Sequence, residues 1–370
     1  MELRQLEFHE VEMPLVAPFR TSFGVQTVRR ALILRAVTDV GDGWGECVAD
    51  VEPVYSSEFL ASADLVIEHH LLPKLFAAGD ALDGSSVGDL LSSVRGHFMA
   101  KAALEMAILD AELRAAGIPL ARRLGAQRDS VDCGVSVGIA PTIDELISRV
   151  GTYLADGYRR VKLKIEPGWD LAPVGAVRAA FPTVALQVDA NAAYTVDDIE
   201  HLAGLDRFSL LLIEQPLAED DLLGHVALAK RISTPVCLDE SITSTRVAIQ
   251  AIELGACAIV NIKAGRVGGY LEAVRLHDAC LARGVPVWCG GMLETGLGRA
   301  ANLALAALPG FTLPGDTSAS ARYWVEDLTP PFVLHDGRLA VPTGPGIGVE
   351  PVPERLDAWT KARRVVDRPR

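Results

Sequence analysis

The sequence predicts an α/β protein in which a TIM-type barrel carries an α+β capping domain. Two observations predict the barrel. Apolar runs alternate with helix-like stretches along the middle of the chain, which is typical of parallel βαβ units. Five consecutive apolar runs also end in a charged residue at a nearly constant spacing: 25, 25, 25 and 24 residues separate Lys164, Asp189, Glu214, Asp239 and Lys263.

The same spacing predicts three further strands, which complete a barrel of eight. They are CGVSVGI at 133–139, VPVWCGG at 285–291 and FTLPGD at 311–316. Eight parallel strands is the count of a TIM barrel, and such barrels hold their active sites at the C-terminal ends of the strands. Polar residues are common where strands meet solvent, but five consecutive charged ends favour a catalytic mouth.

The composition differs on either side of the barrel. The first segment has strand-like alternation at 3–13, a hairpin at 31–48 and a helix at 97–117 that ends in Gly. The segment after about 325 is too short to fold alone. We therefore assign 1–125 to an α+β capping domain, 126–325 to the barrel, and 326–370 to a C-terminal return to the cap.

Charge and composition narrow the class of protein. The 370 residues are 49% apolar and 22% charged, which is ordinary for a globular chain. The net charge of −13 argues against nucleic-acid and anionic-membrane partners. There is no secretory signal pattern and no apolar run approaching a membrane span. The six cysteines form no CxxC pair, so we expect reduced thiols in a cytoplasmic protein.

Two lysines share one face of a strand that is otherwise apolar. In VKLKI, at 161–165, Lys162 and Lys164 are two residues apart, so their side chains point the same way. Two ammonium groups on a buried face cost free energy unless they are paired or used. The pair therefore predicts a functional site.

Three acids on adjacent strand ends predict a metal site. Asp189, Glu214 and Asp239 offer only oxygen ligands, which favours Mg²⁺ or Mn²⁺ over zinc. Three carboxylates close together repel one another unless a cation offsets them. An alternative is that the acids only form ion pairs with the lysines.

The lysines flank the acids and predict proton transfer. Lys164 is the candidate proton carrier and Lys162 its electrostatic neighbour, while Lys263 lies across the site and Arg266 could tune it. A neighbouring lysine and a divalent cation would both lower the pKa of the lysine base. A base on each face of a metal-bound carboxylate suits abstraction of the adjacent proton. Reprotonation from the other face gives racemisation, and loss of a β-hydroxyl gives dehydration.

These residues resemble the enolase superfamily, whose members use a Lys or His base with Mg²⁺. The resemblance covers essentially the whole chain and implies the modified (β/α)7β form of the barrel. It matches the KxK strand, the three metal ligands, the sixth-strand Lys263, and the pairs Asp189-Ala-Asn191 and Asp239-Glu240. The seventh strand lacks the His of the mandelate-racemase subgroup, which points to the muconate-lactonizing subgroup.

Within that subgroup the chain is similar to the o-succinylbenzoate synthase and N-acylamino (N-succinylamino) acid racemase family. The stretches that carry this similarity are 13–24, 43–47, 162–170, 261–273 and 288–302. Dipeptide epimerases would carry a DxD pair on the eighth strand, whereas here Asp316 stands alone. This argues against a substrate with a free amino terminus.

The family resemblance implies metal-dependent racemisation of N-acyl amino acids, with N-succinyl the expected acyl group. Two opposed lysines would remove and return the α-proton through a metal-stabilised enediolate. Dehydration to o-succinylbenzoate is expected in the same site, and an alternative is that this synthase reaction, in menaquinone biosynthesis, is the primary one. The resemblance also implies a small-molecule carboxylate substrate, a homo-oligomer (dimer or octamer), and Mg²⁺ or Mn²⁺ with Co²⁺ as a further candidate.

Cap loops at 15–25 and 48–58 are expected to close over the barrel mouth. Arg20 could pair with a second substrate carboxylate or be an ordinary surface residue. Asp50 and Glu52 would repel a dicarboxylate if they pointed inward. The candidate substrate contacts are Phe19, Arg20, Phe23, Tyr55, Ser136, Asn191, Gly291 and Met292, of which Met292 could equally be simple packing. The candidate supporting residues are Glu240, Asn261 and Arg266.

Three other functions are weighed against this interpretation. GVSVG at 134–138 matches a G-x-S-x-G nucleophile pattern, but Ser136 lies within a predicted strand and no strand-end His accompanies it. A Schiff-base aldolase could use Lys263 but would leave the acids idle. A non-catalytic binding protein on the same barrel would have no reason to keep both lysines and all three acids.

Overall fold

A long antiparallel hairpin and a bundle of short helices build the cap. The structure, a computed structural model, describes residues 1–369. The cap strands are β1 (Leu3–Thr21), β2 (Gly24–Thr38) and β3 (Asp42–Cys47). The helices that follow are α1 (Leu60–Val66), α2 (Leu72–Ala78), α3 (Val87–Leu91), α4 (Phe98–Ala116) and α5 (Leu120–Leu124). A π-helical turn (Ile67–Leu71) joins α1 to α2, and a 3₁₀ turn (Gly79–Ala81) follows α2.

Helix α4 is the central element of the cap and is buried along most of its length. The predicted helix at 97–117 corresponds to α4, which ends at Gly117 in the left-handed conformation. Gly43 and Gly45 of β3 let the sheet approach this helix, because a Cβ atom at either position would lie 2.1 Å from a backbone oxygen of α4. The same helix packs on the barrel, so it joins the two parts of the molecule.

Alternating strands and helices form the barrel. After β4 (Ser130–Asp132), its parallel strands are β5 (Gly134–Val137), β6 (Arg160–Lys164), β7 (Ala185–Asp189), β8 (Ile213–Glu214), β9 (Val236–Leu238), β10 (Ile259–Ile262) and β11 (Val287–Cys289). Its helices are α6 (Ile143–Ala155), α7 (Leu171–Ala180), α8 (Ile199–Leu202), α9 (Leu222–Arg231), α10 (Thr245–Leu254), α11 (Ala264–Val267), α12 (Tyr270–Leu281) and α13 (Gly296–Ala306). Short 3₁₀ turns lie at Val196–Asp198, Ala203–Phe208 and Ser320–Arg322.

The strands β5 to β11 stand side by side in chain order, each parallel to the next. Buried Val, Leu, Ile and Ala side chains fill the space between the strands and the helices outside them. This architecture confirms the predicted α/β fold class. Within residues 1–369, no helix combines the length and the apolar character needed to cross a membrane.

The predicted eighth strand at 311–316 is reduced to single bridges. Phe311 bridges Val287 at one end of the sheet, and Gly315 bridges Cys133 at the other. Pro314 lies between these bridges and has no N–H to donate, so a continuous hydrogen-bonded ladder cannot form there. The segment nevertheless spans the gap between β11 and β5 and closes the ring.

The chain ends in elements that lie against the earlier parts. These are β12 (Arg338–Ala340), which pairs with β4, then α14 (Pro353–Trp359) and β13 (Thr360–Asp367). Strand β13 pairs antiparallel with β1, so the cap sheet has the order β13-β1-β2-β3. The cap sheet therefore contains strands from both ends of the sequence.

Candidate active site

The strand register brings two acids and a lysine into one row. Lys164 is paired with Asp189 across β6 and β7, and Asp189 is paired with Glu214 across β7 and β8. Asp239 directly follows β9, the next strand. Each of the three acids is at most 1% exposed. Because parallel strands end at the same edge, the charges predicted from the 25-residue spacing share one mouth.

Lys162 lies at the centre of this group. Its Nζ is 3.1 Å from Asp189 Oδ2, 2.9 Å from Glu214 Oε2 and 2.7 Å from Asp316 Oδ2. The ammonium group also stands 4.7 Å from the ring centre of Trp288, which fills the interior of the barrel. Lys162 therefore acts as a fixed internal counter-ion of the acids.

Lys164 faces the mouth from the β6 side. Its Nζ donates to Asp189 Oδ2 at 2.6 Å and to Asn191 Oδ1 at 2.6 Å. Asn191 in turn donates from Nδ2 to Glu240 Oε1 at 2.8 Å. These contacts hold the lysine against the acid row.

Lys263 faces the mouth from the opposite side. Its Nζ lies 2.8 Å from Asp239 Oδ2, 3.1 Å from the hydroxyl of Tyr55 and 3.6 Å from Met292 Sδ. Arg266 forms an ion pair with the other oxygen of Asp239. The strands that carry the lysines, β6 and the end of β10, flank the three strands that carry the acids.

Burial and pairing oppose each other in the pKa values of the lysines. Burial alone would lower the pKa of Lys162, but Asp316 and the acid row outweigh it and raise that pKa. The same balance, with Tyr55 and Glu240 as the main partners, raises the pKa of Lys263. The sequence predicts lowered pKa values for the lysines, on the expectation that a cation lies among the acids. The carboxylates here face the ammonium groups directly, so they favour the charged lysines.

Burial and neighbouring charges also shift the pKa values of the acids. Burial raises the pKa of Asp189, yet the ammonium groups of Lys164 and Lys162 overcome burial and hold that pKa well below its usual range. Burial and the charge of Asp189 raise the pKa of Glu214. Burial likewise raises the pKa of Glu240 to about 7. The site is a dense network of opposite charges.

The donor set of the site has the chemistry that a divalent cation requires. Three buried carboxylates on neighbouring strand ends are hard oxygen donors of the kind that Mg²⁺ and Mn²⁺ prefer. The carboxylates are turned to the lysines, and within residues 1–369 no three acid, His or Cys side chains stand ready around a common metal position. Asn261 Oδ1, next to Glu214, is buried without a hydrogen-bond partner in that part of the chain. The donor chemistry fits, and the metal assignment itself stays a prediction.

A cavity lies above the lysines, and residues of the cap cover it. Seven of the eight predicted substrate contacts line it: Phe19, Phe23, Tyr55, Ser136, Asn191, Gly291 and Met292. The hydroxyl of Ser136 is buried without a hydrogen-bond partner among residues 1–369, so it is free to contact a ligand. The structure therefore brings these residues around the lysines.

Arg20 is the predicted contact that the structure places elsewhere. Its side chain is 47% exposed and pairs with Glu166 at 2.8 Å, and it is absent from the cavity lining. The backbone of Arg20 contacts Ile139 instead, where its oxygen accepts from the Ile139 N–H at 2.9 Å. In this structure the guanidinium therefore makes no contact with the cavity.

The three supporting residues each contact the charge network. Glu240 accepts from Asn191, and Asn261 Nδ2 donates to Glu214 Oε1 at 2.7 Å. Arg266 is held by the backbone oxygens of Ile242 and Asn261. These contacts fix the side chains that touch the acids.

Sequence reasoning missed several residues at the site. The sequence indicates Asp316 only as evidence against a DxD pair, although Asp316 ends the eighth segment as the other charged residues end their strands. Arg160 holds Asp316 at 2.8 Å and shares the face of Lys162 and Lys164, so the alternation R-x-K-x-K was a usable signal. Four further lining residues carry no such pattern: Thr21, Gln26, Glu294 and Tyr323. Of the two acids that would repel a dicarboxylate if they pointed inward, Asp50 lines the cavity and Glu52 does not. Leu293, next to the predicted contact Met292, also lines it.

Comparison with known proteins was made for the whole chain. Residues 4–125 match the model of the mandelate racemase / muconate lactonizing enzyme N-terminal domain, and residues 145–355 match the enolase C-terminal domain-like model. The N-succinylamino acid racemase of Amycolatopsis sp is 63% identical over 98% of this chain and 99% of its own. The o-succinylbenzoate synthase of Geobacillus kaustophilus is 46% identical over 97% of this chain and 96% of its own.

A solved structure shares the complete architecture. An enolase superfamily member from Listeria innocua Clip11262 superposes with a TM-score of 0.95 at 40% identity and covers 100% of both chains. The similarity therefore includes the cap, the barrel and the C-terminal return together.

Proposed function

Because this chain belongs to the mandelate racemase / muconate lactonizing enzyme family of the enolase superfamily, we propose that it racemises N-acyl amino acids. N-succinyl amino acids are the first candidates, and o-succinylbenzoate synthesis is a second reaction of the same site. One observation carries the proposal: Lys164 and Lys263 stand on strands that flank the acid-bearing strands. A substrate carboxylate above the acids would present its α-carbon between them.

The cation we propose is Mg²⁺ or Mn²⁺, with Co²⁺ as a further candidate, held by Asp189, Glu214 and Asp239. When bound, it would stabilise the negative charge that develops on the substrate carboxylate as the α-proton leaves. The expected partner is thus a small-molecule carboxylate. The family as a whole uses divalent metal, and the oxygen-only donor set supports these ions for this chain.

The lysines supply the proton transfers. One of Lys164 and Lys263, as the neutral amine, takes the α-proton from its face, and the other, as the ammonium, returns a proton to the opposite face. The product has inverted configuration, and the two lysines have exchanged protonation states. Lys162 stays charged and donates to the acids. The cap loops and Tyr55 cover the mouth, and this keeps bulk water from the developing carbanion.

The synthase reaction needs a base on one face only. The lysine on that face, as the neutral amine, takes the proton from the carbon next to the substrate carboxylate. The ammonium so formed returns this proton to the β-hydroxyl, which departs as water as the carbon–carbon double bond forms. The 46% identity to an o-succinylbenzoate synthase along nearly the whole chain supports this second activity. Menaquinone biosynthesis is then a candidate setting.

The proposal also covers the cellular location and the oligomeric state of the protein. The six cysteines are free and buried thiols, which suits the reducing cytoplasm. A homo-oligomer, dimer or octamer, stays a prediction.

Proton exchange in D₂O tests the proposal. N-succinyl-L-phenylalanine is incubated with Mg²⁺ or Mn²⁺ and followed by NMR and chiral chromatography. We expect deuterium at the α-position with inversion, and no exchange with a chelator. Lys164→Ala and Lys263→Ala should each lose inversion by about a hundredfold or more, because a positioned base contributes roughly that much. Lys230→Ala, an exposed lysine on α9, is the matched control and should behave as wild type.

The same variants separate the alternatives. Retention of inversion in Lys263→Ala would contradict the two-base mechanism. Absence of α-exchange with every N-acyl amino acid would reject the racemase, and dehydration to o-succinylbenzoate would then be measured directly. A covalent adduct at Lys263 trapped by borohydride, with a carbonyl substrate and no metal, would instead indicate an aldolase.

A further inference from the structure

The end of the cavity beside the cap carries an acid to which no role has been assigned. Asp50 follows β3 and lines the cavity together with Gln26 of β2, Phe23 and Tyr55. Its side chain is largely buried, at 8% exposure for the residue. A buried carboxylate in a substrate cavity restricts which ligand group can lie beside it.

Two side chains fix the carboxylate of Asp50. Arg29 Nη1 donates to Oδ1 at 2.5 Å, and Gln26 Nε2 donates to the same oxygen at 3.0 Å. Arg29 is 2% exposed and its other nitrogen is held by the Val48 oxygen at 2.6 Å. The backbone oxygen of Asp50 accepts from Leu60 at 2.7 Å. Both side-chain hydrogen bonds end on Oδ1, which leaves Oδ2 for a ligand.

Further acceptors line the same cavity. Gln26 Oε1 is buried and has no hydrogen-bond partner among residues 1–369. Glu294 forms no ion pair within that part of the chain; its Oε1 accepts from the Met292 N–H and from Asn302. Its Oε2 lies 3.3 Å from where a Cβ atom on Gly291 would be. Asp50 thus has a cationic partner in Arg29, whereas the Glu294 carboxylate has no ion-pair partner in the described part of the chain.

The two ends of an N-succinyl amino acid differ in charge. The succinyl chain ends in a carboxylate, and the amino-acid side chain varies. A carboxylate beside Asp50 and Glu294 would meet like charge in a partly desolvated site, which is unfavourable. This end of the cavity therefore suits the amino-acid side chain better than the acyl carboxylate, which has the three lysines of the same lining as alternative partners.

We infer that Asp50 is a specificity-determining residue, and that the side-chain end of the cavity selects N-succinyl amino acids with basic side chains. An ammonium or guanidinium group would donate to Asp50 Oδ2 and to Gln26 Oε1 and would offset the charge of Glu294. The inference rests on the proposed racemase function and names the substrate class of that site.

Three substrates of similar length test the inference: the N-succinyl derivatives of L-lysine, L-norleucine and L-glutamate. Norleucine has the four-carbon chain of lysine without the terminal amine, and glutamate reverses the charge. We expect wild-type kcat/KM to be highest for lysine, exceeding norleucine by about tenfold or more, since norleucine cannot form the charged hydrogen bond to Asp50. Glutamate should be the poorest substrate.

Asp50→Asn removes the charge while its side-chain oxygen can still accept from Arg29, so the loop keeps its anchor. We expect this variant to reduce the lysine-to-norleucine ratio of kcat/KM by about tenfold, because the charge that distinguishes the two substrates is lost. Glu52→Gln, on the same loop but exposed and outside the cavity, is the matched control and should keep the wild-type ratio. The wild-type ratio is measured independently of any effect of the variants on folding.

The possible results separate a failure of the inference from a failure of the proposed function. Racemisation of norleucine at a rate equal to or above that of lysine would overturn the inference and leave the proposed function standing. An unchanged ratio in folded Asp50→Asn would overturn the role of Asp50. Absence of α-proton exchange with all three substrates would reject the proposed function, and the inference with it.

Discussion

Asp316 gives Lys162 a partner that lies outside the predicted metal ligands. The Lys162 ammonium contacts two of those ligands, Asp189 and Glu214, and a cation bound by them would compete for the same oxygens. Asp316 would then remain as the counter-ion of Lys162, and Arg160 holds it in place at 2.8 Å. Asp316 would therefore position Lys162 in a metal-loaded site.

We predict that Asp316→Asn lowers kcat by about ten- to a hundredfold, the usual cost of losing a residue that orients the groups around a metal. The neutral side chain can no longer balance Lys162 and Arg160. Steady-state kinetics at saturating metal measures the effect. Asp278→Asn, an exposed acid on α12, is the control, and a wild-type kcat in Asp316→Asn would contradict the role.

The places of functional side chains could be predicted from the sequence more accurately on strands than on loops. Strand alternation assigns Lys162 and Lys164 to one face, and the constant spacing assigns the acids to one edge. Arg20 lies beyond such rules, because its partner Glu166 is 146 residues away in the chain. No local sequence pattern indicates a contact between two residues that are so far apart in the chain.

At the scale of elements, buried side chains from the cap complete the ends of barrel helices. Glu46 of β3 accepts from the N–H and hydroxyl of Thr295, at the start of α13, and from the Gly298 N–H. Thr295 in turn accepts from the Leu297 N–H at 3.3 Å. The free N–H group of Gly298 is thus satisfied by a residue that is distant in sequence.

We predict that Thr295→Ala destabilises the protein by about 1–2 kcal/mol, because it removes an N-cap and a buried hydrogen bond to Glu46. Chemical denaturation measures the loss. Thr142→Ala removes the N-cap of α6, where Thr142 accepts from the exposed Glu145 N–H, and should cost less. Equal losses in the two variants would argue against the Glu46 contact.

Elements were predicted well where periodicity extends over several residues. The seven regular barrel strands and helix α4 follow from spacing and apolar pattern. The eighth strand was overestimated, because its apolar start concealed the effect of Pro314 on the ladder. Helix caps supplied by distant residues such as Glu46 leave no signal in the local sequence.

At the scale of the whole molecule, two acids of the cap meet the barrel at helix starts. Glu105 of α4 accepts from the Leu271 N–H at the start of α12, as Glu46 does at α13. Burial is the main cause that raises the pKa of each carboxyl to about 7. The folded protein therefore holds these two protons more tightly than the unfolded chain does.

This linkage predicts that stability falls with rising pH. Each of the two carboxyl groups contributes its full stabilisation of the folded protein below about pH 4.5. This stabilisation is lost as the pH rises through about 7. We expect Glu105→Gln to remove up to about 3 kcal/mol of this dependence. Tm measured from pH 5 to 8 should decline less in this variant than in wild type or in the exposed control Glu253→Gln. Parallel curves for all three proteins would contradict the linkage.

The pairing of β1 with β13 has a consequence for synthesis on the ribosome. Strand β1 precedes the whole barrel in the chain and its partner β13 follows the barrel. At roughly 5–20 residues per second, one edge of the cap sheet therefore waits on the order of tens of seconds for its partner. Meanwhile that edge could template pairing with another nascent chain. Glutamates at positions 7, 10 and 12 place negative charges along the waiting strand and discourage such pairing until its own partner arrives.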